Sequence, residues 1–81
     1  MPRKYGCTVN AVAPGPVGTD AFNAAPSFVR EALQPIIDAT PVAPRVGTPE
    51  EVAWAVATLA EERAGWINAA FIPINGGSSI F

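Results

Sequence analysis

The segment Thr48–Gly65, TPEEVAWAVATLAEERAG, predicts a helix over residues 48–64. Thr48 is suited to the N-cap, Pro49 to the first helical position, and Glu51 completes a capping box. Glu50 and Glu51 lie at the positive end of the helix dipole, and Gly65 is placed to end the helix. The spacing predicts one apolar face, formed by Val52, Val56, Leu59 and Ala60, with Ala53 and Arg63 at its margins.

A short strand is predicted on each side of this helix. Thr8–Ala13 is partly β-branched and stops at Pro14-Gly15, while Ala69–Ile74 stops at Asn75-Gly76-Gly77. Pro73 confines the second strand to an edge, because proline donates no hydrogen bond. Strand, helix and strand form a βαβ unit with parallel strands. Parallel sheets are normally covered on both faces and extended by neighbours, so the pattern predicts an incomplete piece of a larger α/β sheet.

The segment between the first strand and the helix is apolar and interrupted. A loop with two glycines runs to Asp20, so residues 8–20 comprise a strand and its loop. Within residues 21–44, residues 21–40 are predicted to form two short helices, with Ser27 as a cap and a break before Pro35, since proline crowds the preceding turn. Residues 41–44 are predicted to be an extended linker. The second strand, with its stop, covers residues 69–75.

Composition excludes several classes of function. The net charge is -2 and the basic residues are scattered, which argues against a nucleic-acid partner. Without histidine and with one cysteine, the chain has almost no ligands for a transition metal. Cys7, beside a β-branched run, is expected to be buried. No run reaches the ~18 apolar residues of a membrane span, and the N-terminus does not resemble a signal peptide, so we expect a cytoplasmic protein.

Four motifs in order resemble the C-terminal third of the short-chain dehydrogenase/reductase family. They are Val9–Gly15 (VNAVAPG), Pro16–Thr19 (PVGT), Arg45–Ala53 (RVGTPEEVA) and Ile74–Gly77 (INGG). The sequences of these motifs are most similar to those of fungal polyketide and hydroxynaphthalene reductases and of 3-oxoacyl-carrier-protein reductases. The resemblance implies the C-terminal βαβ portion of a Rossmann-type, doubly wound parallel sheet.

The resemblance also implies roles for individual residues. NADP or NAD would be the cofactor, and its nicotinamide end would contact Pro14, Gly15, Val17 and Thr19. The Val17 backbone would form a hydrogen bond with the nicotinamide carboxamide, and Thr19 would bond the cofactor nearby. Pro14-Gly15 would bring the main chain close to the nicotinamide ring. Phe22, Phe28, Leu33 and Ile37 would belong to a mobile substrate lid. Judged without the resemblance, Thr19-Asp20 is more simply a turn or a helix cap. The residue that decides between NAD and NADP lies in a part of the family fold that these residues do not match.

The family's catalytic residues have no counterpart in this sequence. The glycine-rich phosphate loop and the catalytic Ser of the family are not matched in this sequence. The Tyr-x-x-x-Lys pair is not matched either, because the sole tyrosine, Tyr5, is followed four positions later by Val9. Tyr5 is therefore interpreted as structural, and no catalytic or metal-binding residue is assigned. Two further departures are Asn68-Ala69, where the family usually has Thr-Gly, and Asn75, where it usually has Asp.

Three functional hypotheses follow. The first is an oxidoreductase that reduces a carbonyl, such as a polyketide intermediate of secondary metabolism, and that forms homo-oligomers. The 81-residue chain would then be inactive alone, as expected of a truncated gene product. The second is a non-catalytic module that associates with a full-length relative through its unpaired strand and apolar helix face. The third, a small enzyme using Asp20, Asp38 or Glu51 as acid or base, has no sequence feature that brings those carboxylates together.

Overall fold

The computed structural model describes residues 6–79. Two strands and three helices follow one another as β1 (Ala11–Pro14), α1 (Asp20–Asn23), α2 (Ser27–Asp38), α3 (Pro49–Leu59) and β2 (Phe71–Ile74). A 3-10 turn over Glu62–Ala64 separates α3 from β2. Tyr5 lies outside the described residues.

The two strands pair in parallel, as the βαβ pattern predicts. Ala11 lies opposite Phe71 and Pro14 opposite Ile74. The carbonyl oxygens of Ala70 and Ile74 accept hydrogen bonds from Ala11 N–H and Gly15 N–H at 2.9 and 3.0 Å. Because backbone groups alternate along a strand, the nitrogen of Pro73 faces the outer edge of β2, where β1 requires no donor. The sheet consists of these two strands among the described residues, and the fold is a partial Rossmann-type α/β unit.

Both strands begin later than predicted, at Ala11 and Phe71 rather than at residues 8 and 69. In the preceding residues, side-chain bonds are interspersed with backbone bonds: Asn10 Oδ1 accepts from Ala70 N–H at 2.9 Å, Asn68 Oδ1 accepts from Val9 N–H at 2.9 Å, and Ala69 N–H donates to Val9 O at 2.8 Å. Ala69 takes a left-handed conformation with φ 59°. This turn interrupts the extended backbone and sets the start of β2.

Helix α3 begins as predicted and ends earlier. Thr48 Oγ1 accepts from Glu51 N–H, the Glu51 carboxylate accepts from Thr48 N–H, and Pro49 is the first helical residue. The predicted end near residue 64 is wrong, because Glu61 is extended and interrupts the helix. Gly65 instead ends the 3-10 turn by donating to Glu62 O.

The buried face of α3 also differs from the prediction. Val52, Ala55, Thr58 and Leu59 are partly shielded, whereas Val56 is 49% exposed and Ala53 and Ala60 are exposed. The shielded face shares Val52 and Leu59 with the predicted one but is rotated about the helix axis toward Ala55 and Thr58. Since α3 packs on β2, the shielded positions follow the i, i+3, i+7 spacing of one narrow contact face.

The lid segment forms two helices, but the break lies between Asn23 and Ser27 instead of before Pro35. Helix α2 continues through Pro35 for one further turn. Pro35 donates no hydrogen bond, but the turn that follows it is held by the bond from Ala39 N–H to Pro35 O and by burial of Ile37. Ser27 is the first helical residue and not a cap, since Pro26 occupies the N-cap position.

Little of the described chain is buried. Ile37 and Ala64 are the buried hydrophobic residues, and Trp54 and Trp66 are 71% and 91% exposed. The radius of gyration is 15.3 Å, against about 12 Å for a compact domain of this length. The prediction that Cys7 is buried is wrong: it is exposed, because the residues around it lie before the paired part of β1. No helix within residues 6–79 is long and apolar enough to cross a bilayer.

Candidate functional site: the loop after the first strand

The loop Pro14–Thr19 leaves the carboxyl end of β1, the end of a parallel sheet at which ligands bind in open α/β folds. Its first anchor is the hydrogen bond from Gly15 N–H to Ile74 O at 3.0 Å. A Cβ atom at Gly15 would lie 2.7 Å from Asn75 Cβ. Glycine is thus required here by close contact with the end of β2, while its predicted approach to a cofactor remains a prediction.

The second anchor is a short parallel bridge between Val17 and Gly47. Gly47 N–H donates to Pro16 O, and Gly18 N–H donates to Gly47 O, both at 2.9 Å. In an extended segment the groups of consecutive residues face opposite sides. The N–H of Val17 therefore faces away from Gly47, and it donates to no hydrogen bond among the described residues.

Thr19 closes the loop and starts α1. Its N–H bonds Val17 O at 2.8 Å, and its Oγ1 accepts from Phe22 N–H at 3.1 Å. Thr19 is exposed. A hydroxyl that accepts one bond can still donate its own proton, so helix capping leaves the Thr19 O–H free to bind a ligand. The cap and the cofactor contact, weighed as alternatives in the sequence, are compatible.

A bidentate ion pair between Arg45 and Glu51 flanks Gly47, the residue that contacts the loop. Arg45 Nη1 and Nη2 bond the two oxygens of Glu51 at 2.8 and 3.0 Å. The Arg45 hydrogen bond, followed by the backbone N–H of Thr48, lowers the pKa of the Glu51 carboxyl from 4.5 to about 2. The same hydrogen bond, with the charge of Glu51, raises the pKa of Arg45. At neutral pH both groups are charged.

The predicted lid residues differ in their exposure to solvent. Ile37 is buried, Phe22 and Leu33 are partly shielded, and Phe28 is 70% exposed. Of these four, Ile37 alone lines a cleft of about 90 Å³ between the end of α2, the start of α3 and the end of β2. The other three would need a cover from outside the described residues to line a substrate site.

The glycine turn after β2 contacts the end of the predicted lid segment. Val42 N–H donates to Gly76 O at 3.1 Å, and a Cβ atom at Gly76 would lie 2.8 Å from Thr40 Cγ2. Gly76 has φ 62°, in the left-handed region that favours glycine. Asn75 orders the turn by accepting from Gly77 N–H and donating to Ser79 O. The sequence motif INGG therefore holds residues 40–42, at the end of the predicted lid segment.

Sequence reasoning did not assign the residues that hold the loop from behind. Gly47 and Arg45 stand in the RVGTPEEVA motif, and Glu51 was interpreted as a helix cap or, in the third hypothesis, as an acid or base. The signal available was the motif itself, but its contact with the loop joins residues about thirty positions apart. Among the described residues no group of three or more His, Cys, Asp or Glu could hold a metal ion.

Comparison with known proteins places the chain in a family. The family described as Enoyl-(Acyl carrier protein) reductase matches residues 2–79. The short-chain dehydrogenase/reductase FrzI of Cladobotryum sp is 40% identical over 78 residues, covering 93% of this chain and 30% of that protein. The 3-oxoacyl-(acyl-carrier-protein) reductase MabA of Mycobacterium bovis is 42% identical over 74 residues, covering 91% of this chain and 28% of that protein.

A solved structure shows the same fold. The crystal structure of a short-chain dehydrogenase/reductase (glucose/ribitol dehydrogenase) from Brucella melitensis matches with a TM-score of 0.74 at 27% identity. The match covers 91% of this chain and 29% of that one. The chain therefore spans less than a third of the length of each of these relatives.

Proposed function

The chain belongs to the short-chain dehydrogenase/reductase family, and from that membership we propose that it supplies the nicotinamide-facing loop and the substrate lid of an NAD(P)-dependent oxidoreductase. The observation that carries the proposal is the Val17 N–H, a backbone donor at the carboxyl end of β1 that the described residues leave unused. Such a donor fits the carboxamide oxygen of a nicotinamide.

The residues of the loop fit that ligand in two further ways. The exposed Thr19 hydroxyl retains a proton to donate, only a few residues from Val17. Pro14 is exposed at the end of β1 and presents an apolar surface without an N–H. Bound NADPH or NADH would supply a hydride to a carbonyl carbon. The role of this loop is to orient the ring, since the sequence contains no Tyr-x-x-x-Lys pair to donate the proton.

The substrate that we propose is a carbonyl compound of the polyketide or 3-oxoacyl type. Support for the 3-oxoacyl type comes from the name of one relative, the 3-oxoacyl-(acyl-carrier-protein) reductase MabA. The name of FrzI, a short-chain dehydrogenase/reductase, states no substrate. The apolar lid residues Phe22, Phe28 and Leu33 suit such a substrate better than a sugar, which would require polar side chains. A homo-oligomeric, cytoplasmic enzyme completes the proposal.

The test is a chimera in which residues 6–79 replace the matching segment of MabA. We expect NADPH-dependent reduction of a 3-oxoacyl thioester. Val17→Pro removes the unused N–H and should raise the KM for the cofactor about three- to tenfold, the worth of one hydrogen bond. Val17→Ala keeps the N–H and is the matched control. Equal KM values for the two variants, or a folded chimera without cofactor-dependent activity, would contradict the proposal.

The sequence upstream of the Met1 codon provides a second test. An open frame that encodes a Tyr-x-x-x-Lys pair and a glycine-rich loop supports an oxidoreductase that includes this chain. A stop codon immediately upstream counts against it.

A second candidate function is a non-catalytic module that binds a full-length relative. It is favoured by the exposure of Trp54, Trp66 and Phe71, because large exposed apolar groups mark surfaces that associate. Co-purification of the tagged chain with a full-length short-chain reductase from the source organism supports this function. A soluble, monodisperse monomer that captures no such reductase argues against it.

A further inference from the structure

The Glu51 carboxylate is the centre of a hydrogen-bond network that fixes residues 45–48. It accepts two bonds from the Arg45 guanidinium and one from Thr48 N–H at 2.8 Å. Arg45 Nη1 also donates to Val46 O at 2.9 Å. The two backbone groups held in this way, Val46 O and Thr48 N–H, belong to the peptide units on either side of Gly47.

Gly47 is the residue through which this segment contacts the loop. Its N–H bonds Pro16 O and its carbonyl accepts from Gly18 N–H. These two bonds determine which way the peptide groups of Val17 face. In the described structure, one other backbone hydrogen bond joins the loop to an element distant in the sequence, the bond from Gly15 N–H to Ile74 O. Gly15 lies two residues before Val17, so this bond does not orient the Val17 peptide groups.

We propose that Arg45 and Glu51 are positioning residues for the loop: they fix Gly47, and Gly47 turns the Val17 N–H toward the side on which the nicotinamide carboxamide would bind. The identity of that ligand rests on the proposed function. The coupling of the ion pair to the loop rests on the hydrogen bonds alone.

Capping of α3 does not account for the ion pair. Thr48 and Glu51 complete the capping box without Arg45, and Glu50 already provides a first-turn acid for the dipole. An exposed ion pair contributes little to stability in water. A planar guanidinium that forms two parallel hydrogen bonds to a carboxylate fixes the relative orientation of the two side chains. Such a fixed orientation is needed to hold Gly47 in place against the loop.

The experiment measures amide hydrogen exchange on the 81-residue chain by NMR. Arg45→Gln removes the bidentate ion pair and leaves the capping box intact, while Glu51→Gln keeps an acceptor for Thr48 N–H. Arg63→Gln is the matched control, because Arg63 pairs with Glu61 at the 3-10 turn after α3 and makes no hydrogen bond to residues 45–48 among the described residues. We expect exchange at the Gly18 and Gly47 amides to accelerate about tenfold or more in the first two variants.

Exchange at the Ala11 and Gly15 amides, which belong to the β1–β2 ladder, should change by less than about twofold, and Arg63→Gln should leave all four amides unchanged. A parallel acceleration at all four sites would overturn the proposal, since it would mean a purely structural role. Unchanged Gly18 and Gly47 amides in both variants, or no protection at these amides in the unaltered chain, would also overturn it.

Kinetics in the MabA chimera separate this inference from the proposed function. Arg45→Gln should raise the KM for the cofactor severalfold with kcat retained, and Arg63→Gln should change neither. An unchanged KM with Arg45→Gln overturns the positioning role. If the unsubstituted chimera folds but lacks cofactor-dependent activity, the proposed function fails, and the exchange measurement still decides whether the ion pair fixes the loop.

Discussion

Replacing Ala69 by glycine should stabilise the chain. Ala69 has φ 59°, a left-handed conformation that costs an L-residue with a Cβ about 1–2 kcal/mol. Glycine removes this cost but loses about 0.4–1 kcal/mol through its greater freedom in the unfolded chain. The difference predicts a net gain of about 0.5–1 kcal/mol in the free energy of unfolding. The position is also one where the family usually has glycine.

The assay is urea unfolding followed by circular dichroism, with Ala57→Gly as the control. Ala57 lies on the exposed side of α3, where glycine should cost about 1 kcal/mol relative to alanine. The same substitution is thus expected to raise the midpoint at one site and to lower it at the other. If Ala69→Gly lowers the midpoint as much as Ala57→Gly does, the conformational reasoning is refuted.

Three further predictions concern the loop and its support. Gly15→Ala should destabilise the chain by about 1–3 kcal/mol in a thermal melt, because its Cβ would lie 2.7 Å from Asn75 Cβ; an unchanged Tm would contradict the close contact. Because the pKa of Glu51 is lowered from 4.5 to about 2, the stability that its ionised form provides should be complete above pH 4.5 and lost as the pH falls toward 2. In urea titrations Glu51→Gln should therefore be less sensitive to acid than the parent, and identical pH profiles would count against the pair. The 81-residue chain should bind NADP(H) weakly or not at all, since its sequence lacks the glycine-rich phosphate loop; micromolar affinity by calorimetry would show otherwise.

Local sequence patterns predicted those parts of the fold whose hydrogen bonds are made within a few residues. The Thr48–Glu51 capping box spans one helical turn, so the start of α3 could be predicted from residue types. Its end could not, because the extended conformation of Glu61 has no local signature. The break in the lid was misplaced for a related reason: the cost of Pro35 is local, but the burial of Ile37 that outweighs it depends on the tertiary contacts of α2.

The candidate loop was found through its resemblance to a family, and its support came from the structure. Pro14, Val17 and Thr19 stand in a motif that could be read directly. The Asn10 side chain accepts a hydrogen bond from Ala70 N–H and donates one to Ile67 O. These bonds join residues about sixty positions apart in the sequence. Such contacts depend on the parallel register of β1 and β2, which residue types alone do not specify.

The sequence by itself determined the βαβ order, the incompleteness of the sheet and the family, because periodicity, capping and turn residues act over short distances along the chain. Tertiary structure alone decided that Gly47 closes the loop around Val17, that Gly15 is required by Asn75 and that Arg45 and Glu51 lie behind the loop. These depend on close approach between segments distant in sequence, where the presence or absence of one Cβ atom or one hydrogen-bond donor decides the geometry.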